Sequence, residues 1–304
     1  MSLPRIYTDE NAARTHLEGL LWPDGPVCPH CGVVDQATRL QGKSTRPGLL
    51  KCRACEKPFS VTVGTVFERS KIKLHQWVYA THLLTSSKKG ISSHQLSRML
   101  GVTYKTAWFM AHRIREAMRP AELTPMGGSG KTVEVDETLI GFQEGVTKDA
   151  KRARRAGQFR NIVLSVVERG GSVRSFHIDG TTTATLIPIL RTNVRRESVL
   201  MTDEANWYRA IGREYANHLS VNHQEKEYAV GEITTNTVEG YFSIFKRGMK
   251  GVYQHCAEKH LHRYLSEFDF RYSNRIALGI DDEMRADKAL QGISGKRLTY
   301  RQPH

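Results

Sequence analysis

The chain has 304 residues, with 45 Lys and Arg against 31 Asp and Glu, a formal charge of +14 and a pI near 9.7. No stretch approaches the roughly eighteen apolar residues of a membrane span, and the start, Met1-Ser-Leu-Pro-Arg, lacks the apolar run of a signal peptide, so an intracellular, reducing location is expected. Residues 1–130 hold 18 basic against 9 acidic side chains and the remainder 27 against 22; a front-loaded excess of this kind points to a polyanionic partner, with a merely solvated basic surface as the alternative.

In chain order, Asp9 to Leu21 reads as a short helix that ends at Trp22-Pro23. Cys28-Pro-His-Cys31 and Cys52-Arg-Ala-Cys55 follow. Each C-x-x-C forms a knuckle whose backbone N–H groups face two thiolates, and four thiolates suit a closed tetrahedral Zn²⁺ site. Cys28, Cys31, Cys52 and Cys55 are therefore expected to hold a structural zinc; in a reducing compartment disulfides are the poorer reading. His30 is a bystander on this view, and Phe59 to Val63 alternates like a strand after the second knuckle. A zinc ribbon binds DNA or protein, so it specifies a fold more than a function.

Residues 73–119 carry helical periodicity almost without breakers. Leu74 to Leu84 is one helix. Ser92 or Ser93 caps a second, His94 to Leu100. Gly101-Val102 turns the chain, and Thr103 caps a third helix through Met118. Two helices across a tight glycine turn are the helix-turn-helix pattern, whose second helix enters a major groove by its N-terminal end. Ala107, Met110 or Ala111, Ile114 and Met118 face the core; Thr103, Tyr104, Lys105 and Arg113 are candidate DNA contacts. An ordinary three-helix packing unit remains the alternative. Pro120, Pro125 and Gly127-Gly-Ser-Gly130 then mark a domain boundary.

Thr132 to Phe142 reads as a strand, with Val133, Val135 and Glu137 on one face and Glu134 and Asp136 on the other. Lys148 to Arg160 is a basic loop. Ile162–Val167 and Val173–Ile178 are the next strands, Thr183 to Arg195 a helix, Ser198 to Asp203 a fourth strand, and Glu204 to Tyr215 a helix. In the run from Asn236 to Lys250, Val238, Phe242, Phe245 and Met249 form an apolar stripe, while Glu239, Ser243, Lys246 and Lys250 repeat one residue along. Three strands, a helix, a strand and further helices are the order of a ribonuclease-H-like α/β fold, in which strand-end and helix carboxylates converge at one sheet edge. Residues 276–304 show little periodicity and read as a tail.

Phosphodiester cleavage and strand transfer need an activated oxygen nucleophile and a stabilised leaving oxygen, which two hard divalent ions supply. Carboxylates suit such ions. Asp136, Asp203 and Glu239 are the candidate ligands for Mg²⁺ or Mn²⁺, and Lys246 a phosphate grip beside them, with Arg247 and Lys250 as further DNA contacts. Each has a duller reading: Asp203-Glu204 opens a helix, Asp136 is a solvent-facing strand residue, and Asn236-Thr-Val-Glu239 is a capping box. Glu134, Glu137, Glu204, Glu267 and Asp269 are left outside the set.

The whole resembles bacterial insertion-sequence transposases of the DDE superfamily, in the branch with an N-terminal zinc ribbon. The resemblance rests on the four cysteines, Val102-Thr-Tyr-Lys-Thr-Ala-Trp108, Val133-Glu-Val-Asp136-Glu-Thr138, Thr202-Asp203-Glu204, Val221-Asn-His223, Asn236-Thr-Val-Glu239, Lys246-Arg247-Gly248 and His260 to Arg271. It implies a zinc ribbon over 1–70, a helix-turn-helix domain over 71–125, a ribonuclease-H-like catalytic domain over 131–275 and a tail over 276–304. It further implies binding of terminal inverted repeats, cleavage, and transfer of the 3′-OH into target DNA in a bacterial nucleoid. Pairing two DNA ends implies at least a dimer in the working complex. A regulator derived from such an enzyme, binding DNA without catalysis, is the alternative.

Overall fold

A computed structural model describes residues 3–152, 156–203, 206–221 and 234–299. The chain divides into two compact units, one of Met1–Ser87, Ile91–Pro120 and Ile280–His304, the other of Lys88–Gly90 and Ala121–Gly279.

The first unit begins with helix α1, Glu10–Leu21, whose Ala12 N–H donates to the Asp9 carboxylate at 2.7 Å. Three short strands, β1 (Ala37–Arg39), β2 (Leu50–Cys52) and β3 (Pro58–Phe59), pair antiparallel in that order. Leu50 and Cys52 point inward with Phe59 and Cys28 to make a small core that Trp22 packs against. The expected strand over 59–63 is cut short. Val63 N–H bonds back to Ser60 O at 3.0 Å, so the chain turns where the sequence alternation suggested extension.

Helices α2 (Leu74–Ser86), α3 (Ser93–Leu100) and α4 (Tyr104–Met118) follow. No side chain at Lys73 caps α2; instead the Glu10 carboxylate accepts from Leu74 N at 2.8 Å, tying α2 to α1. Ser92 caps α3, Thr103 caps α4, and Gly101 between them takes φ +65°, a conformation a side chain disfavours. Ala107, Met110, Ala111, Ile114 and Met118 are buried, as their spacing predicts.

The tail reading fails. Asp282–Gln291 is a helix, capped by Asp281, that packs on α2 and α4. Arg285 donates to Thr85 O at 3.2 Å, and the later Lys296 ammonium donates to Ala117 O at 3.0 Å. Its buried face is Arg285, Ala286, Ala289 and Leu290. Small and charged residues on an inward face leave almost no hydropathic period to detect.

The second unit is mixed α/β. Strands β4 (Thr132–Ile140), β5 (Asn161–Glu168), β6 (Val173–Ile178), β7 (Val199–Asp203) and β8 (Asn217–Val221) form a sheet in the order β6-β5-β4-β7-β8. The first three strands in sequence pair antiparallel; β7 runs parallel to β4 and β8 parallel to β7. Strand β8 was not foreseen. The basic 148–160 segment, expected as a loop, contains helix α5, Lys148–Arg152, and a short 3₁₀ turn at Ala156–Phe159; Arg154 and Arg155 lie outside the described residues. Helix α6 is Thr183–Asn193, with Pro188 inside it, and α7 is Asn206–Gly212. Helices α8 (Asn236–Gly248) and α9 (Leu261–Ser273) complete the unit.

Both sheet faces are covered. Val133, Val135, Leu164, Val166 and Leu200 pack against Leu186 and Leu190 of α6 and Tyr208 and Ile211 of α7. Ile140, Val163, Val167 and Val173 pack against Val238, Phe242 and Phe245 of α8 and Leu261, Leu265 and Phe268 of α9. The alternation read from β4 thus sorts its residues between two helical layers. The Gly127–Gly130 run is no slack tether: Gly127 N–H donates to Glu168 and Gly128 N–H to Ser198, while Met126 pairs with Val194.

Candidate active site and zinc centre

The four ribbon cysteines converge. Cys28 and Cys55 sulfurs lie 3.7 Å apart, Cys31 and Cys52 likewise 3.7 Å, and all four lie within 4.8 Å of one another. Four sulfurs about 2.3 Å from a shared tetrahedral centre sit about 3.8 Å apart, so the spacing fits zinc. The backbone N–H of Cys55 reaches the Cys52 sulfur at 3.5 Å and lowers its pKa to about 7. At Cys31 the Val33 N–H favours the thiolate, but burial and the three neighbouring sulfurs outweigh it and push the thiol up to about 12. Such a cluster ionises fully only around a cation. His30 bonds to Pro58 O and lies outside the cluster.

In the sheet, the parallel register of β4 on β7 pairs Thr132 with Val199, Val133 with Leu200 and Glu134 with Met201. The pairing ends there, with Asp136 and Asp203 each two residues beyond its last pair. Both are half-buried. Asp136 accepts from the Glu137 N–H at 2.7 Å. Glu137, on the opposite face, accepts from Trp207 Nε1 at 3.0 Å and Tyr208 OH at 2.6 Å. Its pKa rises to about 7, through burial first and through the Asp136 and Asp203 charges as well, against the Tyr208 and Trp207 hydrogen bonds. Negative charge is therefore concentrated at this edge.

Helix α8 is fastened to β4 by a residue that the sequence did not distinguish. The fully buried Glu134 accepts from Val238 N–H at 2.9 Å, Thr237 Oγ1 at 2.8 Å and Arg169 Nε at 2.6 Å. Arg169 also donates to Thr234 O at 2.7 Å. Glu134 shares Asp136's face, two residues back, so parity alone could have suggested it; nothing near Arg169 in sequence signals its partner. The lock holds the first turn of α8, on which Glu239 stands. Glu239 is exposed, and its carboxylate accepts from the Thr235 hydroxyl at 3.0 Å. The capping box read at Asn236 is not formed: Thr235 occupies the N-cap and makes no side-chain cap bond.

Among the described residues the four cysteines alone bring three or more ligand atoms together tightly enough for one ion; Asp136, Asp203 and Glu239 do not. Asp136 and Asp203 both act electrostatically on Glu137, whereas Glu239 accepts from Thr235. Glu204 and His223 lie outside the described residues. His218 is hydrogen-bonded to Thr202 and His177 to Asn161, which gives both a packing role. Glu267 pairs with Arg271, and Asp269 accepts from Ser175 and Tyr241.

On α8, Lys246 is half-buried and Arg247 exposed, as is Lys250 just past its end; Arg247 Nε donates to Ser243 O. In the first unit, Thr103, Tyr104 and Lys105 are exposed at the start of α4, with Tyr104 stacked on His94 at 4.3 Å. Arg113 is half-buried. Its guanidinium donates to Glu68 O and Leu298 O at 3.2 Å each and lies over Phe109 and Trp77. These contacts tie α4 to the C-terminal segment.

Residues 127–273 match the family model of the ISXO2-like transposase domain, and residues 8–58 that of the transposase zinc-ribbon domain. A relative described as an uncharacterized protein in transposable element ISH50 of Halobacterium salinarum is 25% identical over 284 residues, which cover 88% of this chain and 92% of the relative. The simian T-cell lymphotropic virus intasome in complex with PP2A regulatory subunit B56 gamma aligns at 12% identity over 57% of this chain and 63% of that one, with a TM-score of 0.29, too low to bear on the fold. Among the described residues no helix is long and apolar enough to cross a membrane. The two domain matches, in this order and over the cysteine cluster and the five-stranded sheet, identify a transposase zinc ribbon followed by an ISXO2-like transposase domain, an arrangement consistent with an insertion-sequence transposase.

Proposed function

We propose that the protein binds the terminal inverted repeats of an insertion sequence, cleaves the ends and transfers the 3′-OH to target DNA. The observation that carries this reading is the parallel pairing of β4 with β7, Glu134 opposite Met201, which leaves Asp136 and Asp203 each two residues past the last pair, with Glu239 on a helix locked to β4 through Glu134. The strand order β6-β5-β4-β7-β8, three antiparallel strands followed by two parallel ones, supports a ribonuclease-H-like assignment for the sheet.

Carboxylates suit Mg²⁺ or Mn²⁺, and Asp136 and Asp203 both add to the upward shift that burial imposes on Glu137. Asp136 and Asp203 would hold the metal, with Glu239 released from Thr235 to join them. Bound there, the ions supply an activated oxygen nucleophile and a stabilised leaving oxygen. The protein's own residues do the positioning. Glu134 and Arg169 fix the α8 start, and Lys246 and Arg247 grip phosphates along its exposed side.

The paired helices α3 and α4 act as a helix-turn-helix, with Thr103, Tyr104 and Lys105 entering the groove. The basic first third of the chain supplies non-specific attraction to DNA. Joining two ends requires at least two copies in the working complex. The test is strand transfer from a labelled duplex, made from one end of the DNA flanking the gene, into supercoiled plasmid with Mg²⁺. Labelled plasmid with the native protein and none with Glu239→Ala is expected. Nicking without joining would make it a nuclease, and binding without either a regulator.

A further inference from the structure

The far end of β4 opens into a cavity of ≈ 440 Å³ that the chemistry above does not use. Its floor is apolar, made of the buried side chains of Ile140, Met249 and Leu261. The half-buried Phe142 forms a wall, and Lys151, Arg160 and Lys250 stand at the more exposed rim. The Arg160 guanidinium lies 4.9 Å from the Phe142 ring centre and the Lys151 ammonium 5.6 Å.

The wall is built, not incidental. The buried Asn161 donates from Nδ2 to Phe142 O at 3.1 Å and is itself hydrogen-bonded to His177, while Gln143 N–H donates to Phe159 O at 2.9 Å. The opposite lip carries stored strain. Helix α8 passes into a π-helical turn, Met249–Tyr253, and then into Gln254 at φ +55° and ψ −51°, with His255 N–H bonded to Tyr253 O. A three-residue turn of this hand is rare for a non-glycine residue, and both features concentrate at binding sites.

The composition selects the ligand. A bare phosphate would gain nothing from Ile140, Met249 and Leu261, and an uncharged apolar molecule nothing from three cations. A flat ring carrying a phosphate uses both, and the volume suits one. The location selects its source. Ile140 lies four residues beyond Asp136 on the same strand face, about 13 Å along it. Lys250 lies eleven residues beyond Glu239, about 16 Å along the helix. Each distance is about four to five base-pair rises of DNA.

We infer that this cavity takes one unpaired nucleotide of the bound DNA, four to five positions from the cleaved end, with its base against Phe142 and its phosphate on Lys151, Arg160 and Lys250. The inference rests on the DNA-processing role proposed above. Base stacking on an aromatic side chain, with phosphate contacts added, predicts about tenfold tighter binding of a duplex unpaired at that position than of the same duplex fully paired.

The test is a fluorescence titration of the full chain with end duplexes carrying 2-aminopurine at the fourth position, paired or unpaired. The native protein should prefer the unpaired form about tenfold and change its emission. Phe142→Ala should abolish the preference and leave the affinity for the paired duplex unchanged. Phe142→Leu, which keeps an apolar wall, should bind the paired duplex like the native protein and retain only part of the preference. Equal binding of both duplexes by the native protein, or a preference intact in Phe142→Ala, would overturn the inference while leaving the DNA-binding role standing. Displacement of the 2-aminopurine signal by micromolar dAMP, with no preference between duplexes, would make this a site for a free nucleotide and overturn it too. Failure to bind either duplex would remove both readings.

Discussion

Replacement of Glu134 by Gln removes one charge and no volume from the interior of the second unit. One Glu134 oxygen takes Arg169 Nε and Thr237 Oγ1, and the other takes Val238 N–H. A glutamine has only one oxygen. If it keeps Val238, its NH₂ faces the Arg169 guanidinium; if it keeps Arg169 and Thr237, its NH₂ faces the first turn of α8. One donor is stranded in either orientation, at about 1–3 kcal/mol, and Arg169 loses its counter-charge. Breaking a buried pair costs about 3–5 kcal/mol, but Arg169 keeps Thr234 O and is partly solvated, which places the total near 3 kcal/mol. For a unit of this size that is a Tm lower by about 6–12 °C. Urea denaturation followed by circular dichroism measures it. A stability within about 1 kcal/mol of the native protein would show that the lock does not fasten α8 to the sheet.

Cys52→Ser should lose the single bound zinc, measured by atomic absorption, and unfold the small core around Phe59; retention of a full equivalent would contradict four-thiolate ligation. Arg113→Ala should lower stability by about 2 kcal/mol with DNA affinity at low salt unchanged, whereas Lys105→Ala should weaken DNA binding and reduce its salt slope by about one. Equal losses of affinity in the two variants would return Arg113 to the DNA face. Asp269 is pushed up to about 6 by burial, against hydrogen bonds from Tyr241 and Ser175. The folded state thus binds a proton that the unfolded chain has released above pH 4 or so. The resulting stabilisation is full below that pH, declines as pH rises to about 6 and is flat beyond. Relative to Asp269→Asn, native stability should fall by about 2 kcal/mol over that window, the full shift being discounted for partial solvation; a difference that rises with pH would reverse the sign.

What could be read from the sequence follows the range of the interactions. Ser92, Gly101 and Thr103 act on their own neighbours, so α3, the turn and α4 could be placed almost to the residue. The alternation of Val133, Glu134, Val135 and Asp136 assigned faces because a strand has a strict period of two. Both knuckles carry their metal logic within four residues. The Glu134–Arg169 pair spans 35 positions and joins residues that are ordinary in their local context. The C-terminal helix hid its inward face behind alanines and an arginine. Arg113 followed helical periodicity as far as the surface of α4, but not the segment that covers it. Thr235, not Asn236, sits at the N-cap position of α8 and makes no cap bond; its hydroxyl donates to Glu239 instead, a contact that spacing could not anticipate.

Metal rescue at Asp136 tests the central claim most directly. Asp136→Cys exchanges a hard carboxylate oxygen for a soft sulfur at the proposed metal ligand on β4. The account predicts that strand transfer is lost in Mg²⁺ by at least about a hundredfold, roughly 2.7 kcal/mol of barrier, and recovers in substantial part in Mn²⁺, which tolerates sulfur better. End binding should remain intact in both. Native-level transfer by the variant in Mg²⁺ would contradict the assignment of Asp136 as a metal ligand and, with it, the two-metal reading of this sheet edge.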